Sequence, residues 1–463
     1  MCNNIICFFI LGFIITCNAG CNKLVQIPEP VNTITTSEVF STSAEARSAI
    51  AGIYSDMSWA NGNLNYANGA ITIFCGMSAD ELNNFGGPTS FETNTLLADD
   101  GSVNSIWSGI YYDIYLANAA ISGLQNSKNI PSDTRSTLIA EAKFIRAFCY
   151  FHLINLFGDV PLTTSPDWTA VSLMARTPVS KVYDQIESDL KDAQNSLPAD
   201  YSVSNGERIM ANKWAATALL ARVYLYNSDW NDALTQATEV INQNNIYSLS
   251  SDLNATFLKN NNEAIWQLQL ADNTPWATLE GNFFNPNDSL SSPNFSLTPQ
   301  LLSAFEIGDQ RRAAWVDSTD FSGQFYYYPY KYKVKIGTSG DLPEYYTLLR
   351  LAEQYLIRAE AEAQLNKLAE AMSDIDTIRS RAGLLPLPQN LNQTQVIAAV
   401  AQERRIEFFA EWGHRWLDLK RTGQADAVLT PIKPDWKTTA KLFPIPAVEI
   451  KTDPNLKQNE GYQ

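Results

Sequence analysis

Two helical hairpins constrain this chain more than any other feature. Residues 211–227 and 230–242 carry helical patterning and are separated by Asn227-Ser228-Asp229. Residues 355–365 and 368–381 form a second pair. Ala221 precedes Ala233 by twelve positions, and Ala359 precedes Ala371 by the same twelve. Small residues at such offsets let antiparallel helices approach closely, as in tetratricopeptide repeats. By itself the pattern establishes helical hairpins and no more. Other helices are expected from Ser43 onward, where Ala46, Ile50, Ile53 and Met57 form a stripe, and over residues 106–124. Residues 60–105 are rich in Asn, Gly, Ser and Thr and read mostly as loop.

Residues 244–343 break the helical pattern. They carry Trp276, Phe283, Phe284, Phe295, Trp315, Phe321, Phe325 and a run of tyrosines, interleaved with Asn, Asp, Ser, Pro and Gly. Short strands are expected at residues 263–270 and 325–334. In such a strand Tyr326, Tyr327 and Tyr328 alternate faces, so one side packs inward while the other is free for a ligand or partner.

Composition bounds the function classes. With 463 residues, 45% hydrophobic, the chain can bury a large core in one or two domains. A formal charge of -16 argues against a nucleic-acid partner, which needs a basic stripe. His152 and His414 are the only histidines, which nearly excludes a catalytic triad or a multi-histidine metal site. Both read as packed structural residues, His414 as a hydrogen-bonded one. No phosphate loop, nucleophile elbow or metal-ligand spacing is present, and no cofactor is expected.

Residues 5–16 are an apolar run too short to span a membrane and of signal-peptide length. Ala19-Gly20-Cys21 follows and resembles a bacterial lipobox, in which the cysteine thiol receives the lipid. It departs from that pattern in two ways: residues 1–4 lack Lys and Arg, and Asn18 stands where Leu is usual. Removing the signal leaves Cys21, Cys75 and Cys149. The last two do not amount to a disulfide framework, although they are able to pair, and Cys149 reads as a buried free thiol.

Residues 403–421, Glu-Arg-Arg-Ile-Glu-Phe-Phe-Ala-Glu-Trp-Gly-His-Arg-Trp-Leu-Asp-Leu-Lys-Arg, combine charge and aromatics along an amphipathic helix interrupted by Gly413. Glu411 and Arg415 stand four apart, the favourable order for a helical ion pair. The segment resembles the C-terminal signature of the SusD/RagB family, surface lipoproteins with which Bacteroidetes capture glycans or peptides. Glu141-Ala142-Lys143-Phe144-Ile145-Arg146-Ala147 with Phe157-Gly158-Asp159-Val160-Pro161-Leu162 is similar to its first signature. Leu349-Arg350-Leu351-Ala352-Glu353 with Ile378-Arg379-Ser380-Arg381-Ala382-Gly383 is similar to its second. Leu442-Phe443-Pro444-Ile445-Pro446, with Pro454-Asn455-Leu456-Lys457-Gln458-Asn459, is similar to its last. The resemblance implies a mainly α fold: a tetratricopeptide-like helical hairpin scaffold with an inserted irregular, loop-rich subdomain carrying short strands. It divides the chain into a signal peptide (1–20), a lipid-anchored tether (21–40) and a SusD-like domain (41–463), with 244–343 as a variable ligand-face insert.

The same resemblance implies a non-catalytic, lipid-anchored outer-membrane protein. It would take up oligosaccharide and deliver it to a SusC-like TonB-dependent transporter, touching the membrane through the lipid on Cys21 alone. A peptide ligand is the alternative, and a glycoside hydrolase a weaker one. Sugar recognition combines aromatic rings, which stack on pyranose faces, with polar groups that bind hydroxyls. Two loop regions offer both: Asp80, Asn83, Phe85 and Phe91 in the first, Trp276, Phe283, Phe284 and Tyr326 in the second. The family places the region of Asp80 near the ligand face. Glu403, Glu407 and Glu411 along one helix, and Glu360 and Glu362 on another, flank no bond and read as partners of nearby arginines.

Overall fold

The computed structural model describes residues 39–58, 64–271, 277–336 and 342–462. The chain begins with α1 (Ser43–Ser58), α2 (Ala70–Ser78) and the short strand β1 (Leu82–Asn84). Five long helices follow: α3 (Gly101–Asn126), α4 (Ser132–Phe157), α5 (Val179–Ser196), α6 (Lys213–Tyr226) and α7 (Trp230–Ile241). The irregular stretch then supplies β2 (Ala264–Leu268), α8 (Leu279–Phe284), β3 (Phe295–Leu297), β4 (Val316–Phe321) and β5 (Gln324–Pro329). After β6 (Tyr346–Arg350) come α9 (Leu351–Gln364), α10 (Leu368–Arg381), α11 (Gln393–Glu407) and α12 (His414–Arg421).

Local chemistry sets the helix starts. Asp100 accepts from the backbone N–H groups of Ser102 and Val103, Asn212 from that of Ala215, and Asp229 from that of Asp232. Asn392 and Gln395 close a capping box on α11. Each cap satisfies donors that the helix leaves orphaned and contributes about 1 kcal/mol. The expected hairpins are α6/α7 and α9/α10, and Ala221, Ala233, Ala359 and Ala371 are all fully buried at their contacts. The helices pack in succession from α3 to α7, then α7 on α9 and α9 on α10 and α11. This is the helical scaffold expected, and its hairpins are tetratricopeptide-like.

Residues 60–105 hold more than loop. The helix α2 buries every position except Phe74, so its apolar residues run all round and show no 3.6-residue stripe. Of the strands, β2 and β5 fall close to the two expected positions, while β1, β3, β4 and β6 lie outside them. Among the described residues they form three two-stranded antiparallel sheets: β1–β3, β2–β6 and β4–β5. The β2–β6 pair stitches the irregular stretch to the scaffold. In it Trp266 is fully buried, with ring contacts to Tyr54, Phe144 and Phe148.

The charged segment at 403–421 folds differently from its spacing. The helix α11 ends at Glu407, and the turn beyond it places Ala410, Trp412 and Gly413 at φ 48°, 47° and 68°. A Cβ on Gly413 would lie 2.6 Å from that of Cys75, so this left-handed close approach requires glycine. The break separates Glu411 from Arg415. Glu411 instead receives Lys331 at 2.5 Å and Arg350 at 2.9 Å. Arg415 reaches Asp80.

Arg350 lies at the centre of a buried network. It meets Glu263 at 2.9 Å and Glu407 at 2.5 Å as well as Glu411. Arg311 joins Asp309, Glu403 and Glu407, and Arg381 joins Glu263 and Glu407. Burial alone would raise the pKa of Glu407, but Arg381, Arg350 and Arg311 hold it well below the ordinary carboxylate range. Burial also depresses the pKa of both histidines, that of His152 to about 3, so both are neutral. His152 Nδ1 lies 2.9 Å from the Phe148 carbonyl oxygen. His414 packs on Phe408, but its Nδ1 has no hydrogen-bond partner. Cys75 and Cys149 are buried free thiols.

Candidate functional site

The strand β1 organises the loop-bearing face. It pairs with β3, so that Leu82 faces Leu297, Asn83 faces Ser296 and Asn84 faces Phe295. The Phe85 N–H extends the ladder by donating to the Asn294 carbonyl at 2.9 Å. Strand alternation puts Asn83 and Phe85 on the same side. The strand β3 packs against β5, which brings the β4–β5 hairpin alongside. Phe85 meets Phe321 and Tyr326 edge to face, at ring-centroid distances of 5.5 and 5.2 Å. These are favourable aromatic geometries, and they hold the rings in fixed orientations. Phe85, Phe321 and Tyr326 are all partly exposed, and Phe325 at the hairpin tip is 63% exposed.

Beside this ring cluster lies a cleft of about 350 Å³, lined among others by Asp80, Asn83, Glu92, Gln300, Lys433 and Asp435. The carboxylate of Asp80 is already engaged. Arg405 Nη2 donates to it at 2.7 Å, and Arg415 does so from Nε at 2.7 Å and Nη2 at 3.1 Å. Burial would raise the pKa of Asp80, but these guanidinium groups overcome it and hold the carboxyl below its usual value. Lys433 Nζ is similarly occupied, donating to the carbonyls of Met77, Ser78 and Glu92 at 2.6, 2.9 and 2.9 Å. Burial brings its pKa down to about 7.

The structure sorts the expected site residues. Asn83, Phe85 and Tyr326 come together on one face. Asp80 lines the cleft beside Asn83 but is tied to arginines, so it fixes the architecture and offers little to a ligand. Phe91 is a core side chain, stacked on Phe74 at 4.3 Å, and Phe284 is buried against Phe295. Neither presents a ring face. Phe283 is half-buried in a separate cleft of about 310 Å³ with Leu64, Tyr66 and Phe74. Its carbonyl accepts from Asn294, which ties that cleft to the same strand segment. Trp276 and Cys21 lie outside the described residues. Of the three consecutive tyrosines, Tyr328 is buried, Tyr327 lies under the Arg312 guanidinium and Tyr326 joins the ring cluster.

Sequence reasoning missed several groups. Phe321 and Phe325 belong to the aromatic insert, but spacing does not distinguish them from its buried rings. Gln300 and Asp435 reach the cleft from distant segments and carry no local signal. The period-2 pattern through Asn83 and Phe85 is a signal that finds the strand.

Comparison with known proteins gives the same picture. A family model described as "Starch-binding associating with outer membrane" matches residues 33–225, and one described as "SusD family" matches residues 316–462. SusD-like protein P25 of Formosa agariphila is 27% identical over 97% of this chain and 98% of the relative. A solved laminarin-binding SusD-like protein superposes with a TM-score of 0.77 at 25% identity, covering 91% of this chain and 100% of the other. A SusD superfamily protein from Bacteroides vulgatus gives a TM-score of 0.79 at 22% identity, over 91% and 99% of the two chains, which bears on the fold. The chain belongs to the SusD/RagB family. Two of the segments that resemble family signatures, 349–353 with 378–383 and 403–421, supply Arg350, Arg381 and Glu407 to the buried network. The unmatched residues 226–315 cover much of the irregular insert, while Phe85 of the ring cluster lies in the first matched region and Phe321 and Tyr326 in the second. Among the described residues no helix is long and apolar enough to cross a membrane, and no group of His, Cys, Asp and Glu is arranged to hold a metal ion.

Proposed function

We propose that this protein is a surface glycan-binding lipoprotein that captures oligosaccharide and delivers it to a SusC-like TonB-dependent outer-membrane transporter. The observation that carries the reading is the ring cluster Phe85–Phe321–Tyr326 next to the Asn83 cleft: partly exposed, edge-locked aromatics beside free amides. The starch-binding description of the matched family model and the laminarin-binding structural relative support it. The protein acts by binding, without catalysis. Glu403, Glu407, Glu411 and Glu360 are each held by an arginine, which leaves none of them free as a general acid. In this reading residues 1–20 are the signal, Cys21 carries the lipid, residues 21–40 are the tether, and the insert at 244–343 provides much of the ligand face.

Phe85→Ala and Tyr326→Ala are expected to weaken oligosaccharide binding in calorimetry by about 2 kcal/mol each if they are anchors, with melting temperature unchanged. Trp276→Ala is expected to weaken it too, since its ring belongs to the same loop-rich stretch. Asp80→Ala is expected to lower stability instead, because it strands Arg405 and Arg415. Wild-type affinity in both Phe85→Ala and Tyr326→Ala would move the site elsewhere, and hydrolysis of the glycan on long incubation would refute the non-catalytic reading. A separate check concerns the anchor. Cys21→Ala is expected to shift the protein from the membrane fraction to the soluble fraction, and unchanged membrane retention of an exported variant would exclude lipidation there.

A further inference from the structure

We propose that this site admits uncharged glycans and discriminates against sugars bearing carboxylate or sulfate groups. The inference rests on the glycan-binding reading and adds the chemical class of ligand. It follows from which donors and acceptors around the site are still free.

Recognition of an anionic sugar needs a charge-assisted donor, usually a guanidinium or ammonium group. Lys433 is the one cationic side chain among the described residues lining the cleft, and it and the guanidinium groups beside it are already engaged. Arg405 and Arg415 are bonded to Asp80. Lys433 donates to three backbone carbonyls, and Lys335 donates to those of Asn282 and Asn285 at 2.7 and 2.8 Å. Arg312 lies over the Tyr327 ring, 4.6 Å from its centroid, on the strand side opposite Tyr326. Freeing any of these would strand a carboxylate, expose carbonyls or break a ring contact.

The uncommitted groups are of the other kind. The side chains of Asn83, Gln300 and Asp435 line the cleft and make no hydrogen bond among the described residues. Amides both donate and accept, and a carboxylate accepts, which suits sugar hydroxyls. The carboxylates without a cationic partner are also close by. Asp435 is exposed in the cleft wall. Asp320 adjoins Phe321 and accepts from the Gly323 N–H, and exposed Asp288 sits in the turn beside it, where the Asp320 N–H donates to the Ser289 carbonyl. Screening leaves little interaction beyond a Debye length of about 8 Å, so an effect of probe charge reports on groups near the bound sugar.

The test is calorimetry on the full chain with two sets of probes. One is neutral: laminari-oligosaccharides and malto-oligosaccharides. The other is anionic: oligogalacturonate and a sulfated galactan oligosaccharide. The expected result is that a neutral probe binds and that both anionic probes bind at least tenfold more weakly. Asp435→Lys is then expected to improve oligogalacturonate binding several-fold and to narrow the gap between it and the neutral probes. Anionic probes binding as tightly as the neutral ones, or no gain in Asp435→Lys, would overturn the inference and leave the glycan-binding reading standing. Binding of no probe from either set would overturn both.

Discussion

Arg350→Met is expected to destabilise this protein more than any other single change considered. The guanidinium of Arg350 is fully enclosed and touches three carboxylates, Glu263, Glu407 and Glu411, and it also donates to the Glu407 carbonyl at 2.8 Å. Its removal leaves buried negative charges facing one another with Arg311, Arg381 and Lys331 as the remaining partners. The cost of breaking a buried pair from one side is on the order of 3–5 kcal/mol. The contrast is Arg405→Ala, where a partly exposed arginine shares Asp80 with Arg415 and the loss should be about 1 kcal/mol. Denaturant melts of the two variants make the comparison. Equal losses would mean that the network around Arg350 is no more than a set of independent surface-like pairs.

Stability is expected to fall between pH 5 and pH 8. Burial raises the carboxyl pKa values of Glu81, Glu141 and Glu280 to about 8. Neither carboxyl oxygen of Glu141 has a hydrogen-bond partner among the described residues, and burial outweighs the opposing Arg47 charge. In the unfolded chain these groups titrate near the ordinary glutamate value of about 4.3. Below that value both states hold the protons, and the stabilisation is fully present. As pH rises toward 8 the unfolded chain releases protons that the folded chain retains, so stability is progressively lost, at up to about 1.4 kcal/mol per group per pH unit. His152 and His414, with depressed pKa values, oppose this as pH falls below about 6.5, but are outnumbered by the three glutamates. Glu407, Asp80 and Asp418 also act in the opposite sense. Their pKa values are lowered, and their contribution disappears in acid. The maximum should therefore lie in the mildly acidic range. Melting temperatures at pH 5.5 and 8.5 test this, and Glu141→Gln sharpens the test. The variant cannot ionise, so its stability relative to wild type should rise steadily across this range. A constant difference would show that Glu141 is ionised in the folded protein.

The helical scaffold was legible because its signals are local. Alanine pairs, capping residues and a stripe such as Ala46–Ile50–Ile53–Met57 depend on neighbours a few positions away. The helix α2 was not legible, since a helix buried on nearly all sides loses the polar face that makes it periodic. The Glu411–Arg415 pair illustrates a different failure. Four-residue spacing implies contact only within a continuous helix, and the positive φ values at Ala410, Trp412 and Gly413 end that continuity. The site was half legible for a related reason. Residue type identifies Asn83, Phe85 and Tyr326 as suitable for binding sugar, but it does not separate them from Phe91 and Phe284, which are chemically equivalent and buried. What separates them is long-range pairing: β1 with β3, β3 against β5, and Asp80 with arginines more than three hundred positions away.

That last pairing belongs to a broader seam between the two ends of the chain. Ala410 N–H donates to Glu81, Trp412 N–H to Thr72, and Lys433 to the last carbonyls of α2. Phe443 N–H donates to Leu156, and Asn459 to Phe157. The α2 region and the end of α4 thus lack these partners until the final sixty or so residues arrive, and synthesis delivers those last. A nascent chain of this kind stays unlocked throughout elongation, with its early helices short of the partners that would seal them. If the chain is exported as proposed, postponing closure to the last segment keeps it threadable until that segment has passed.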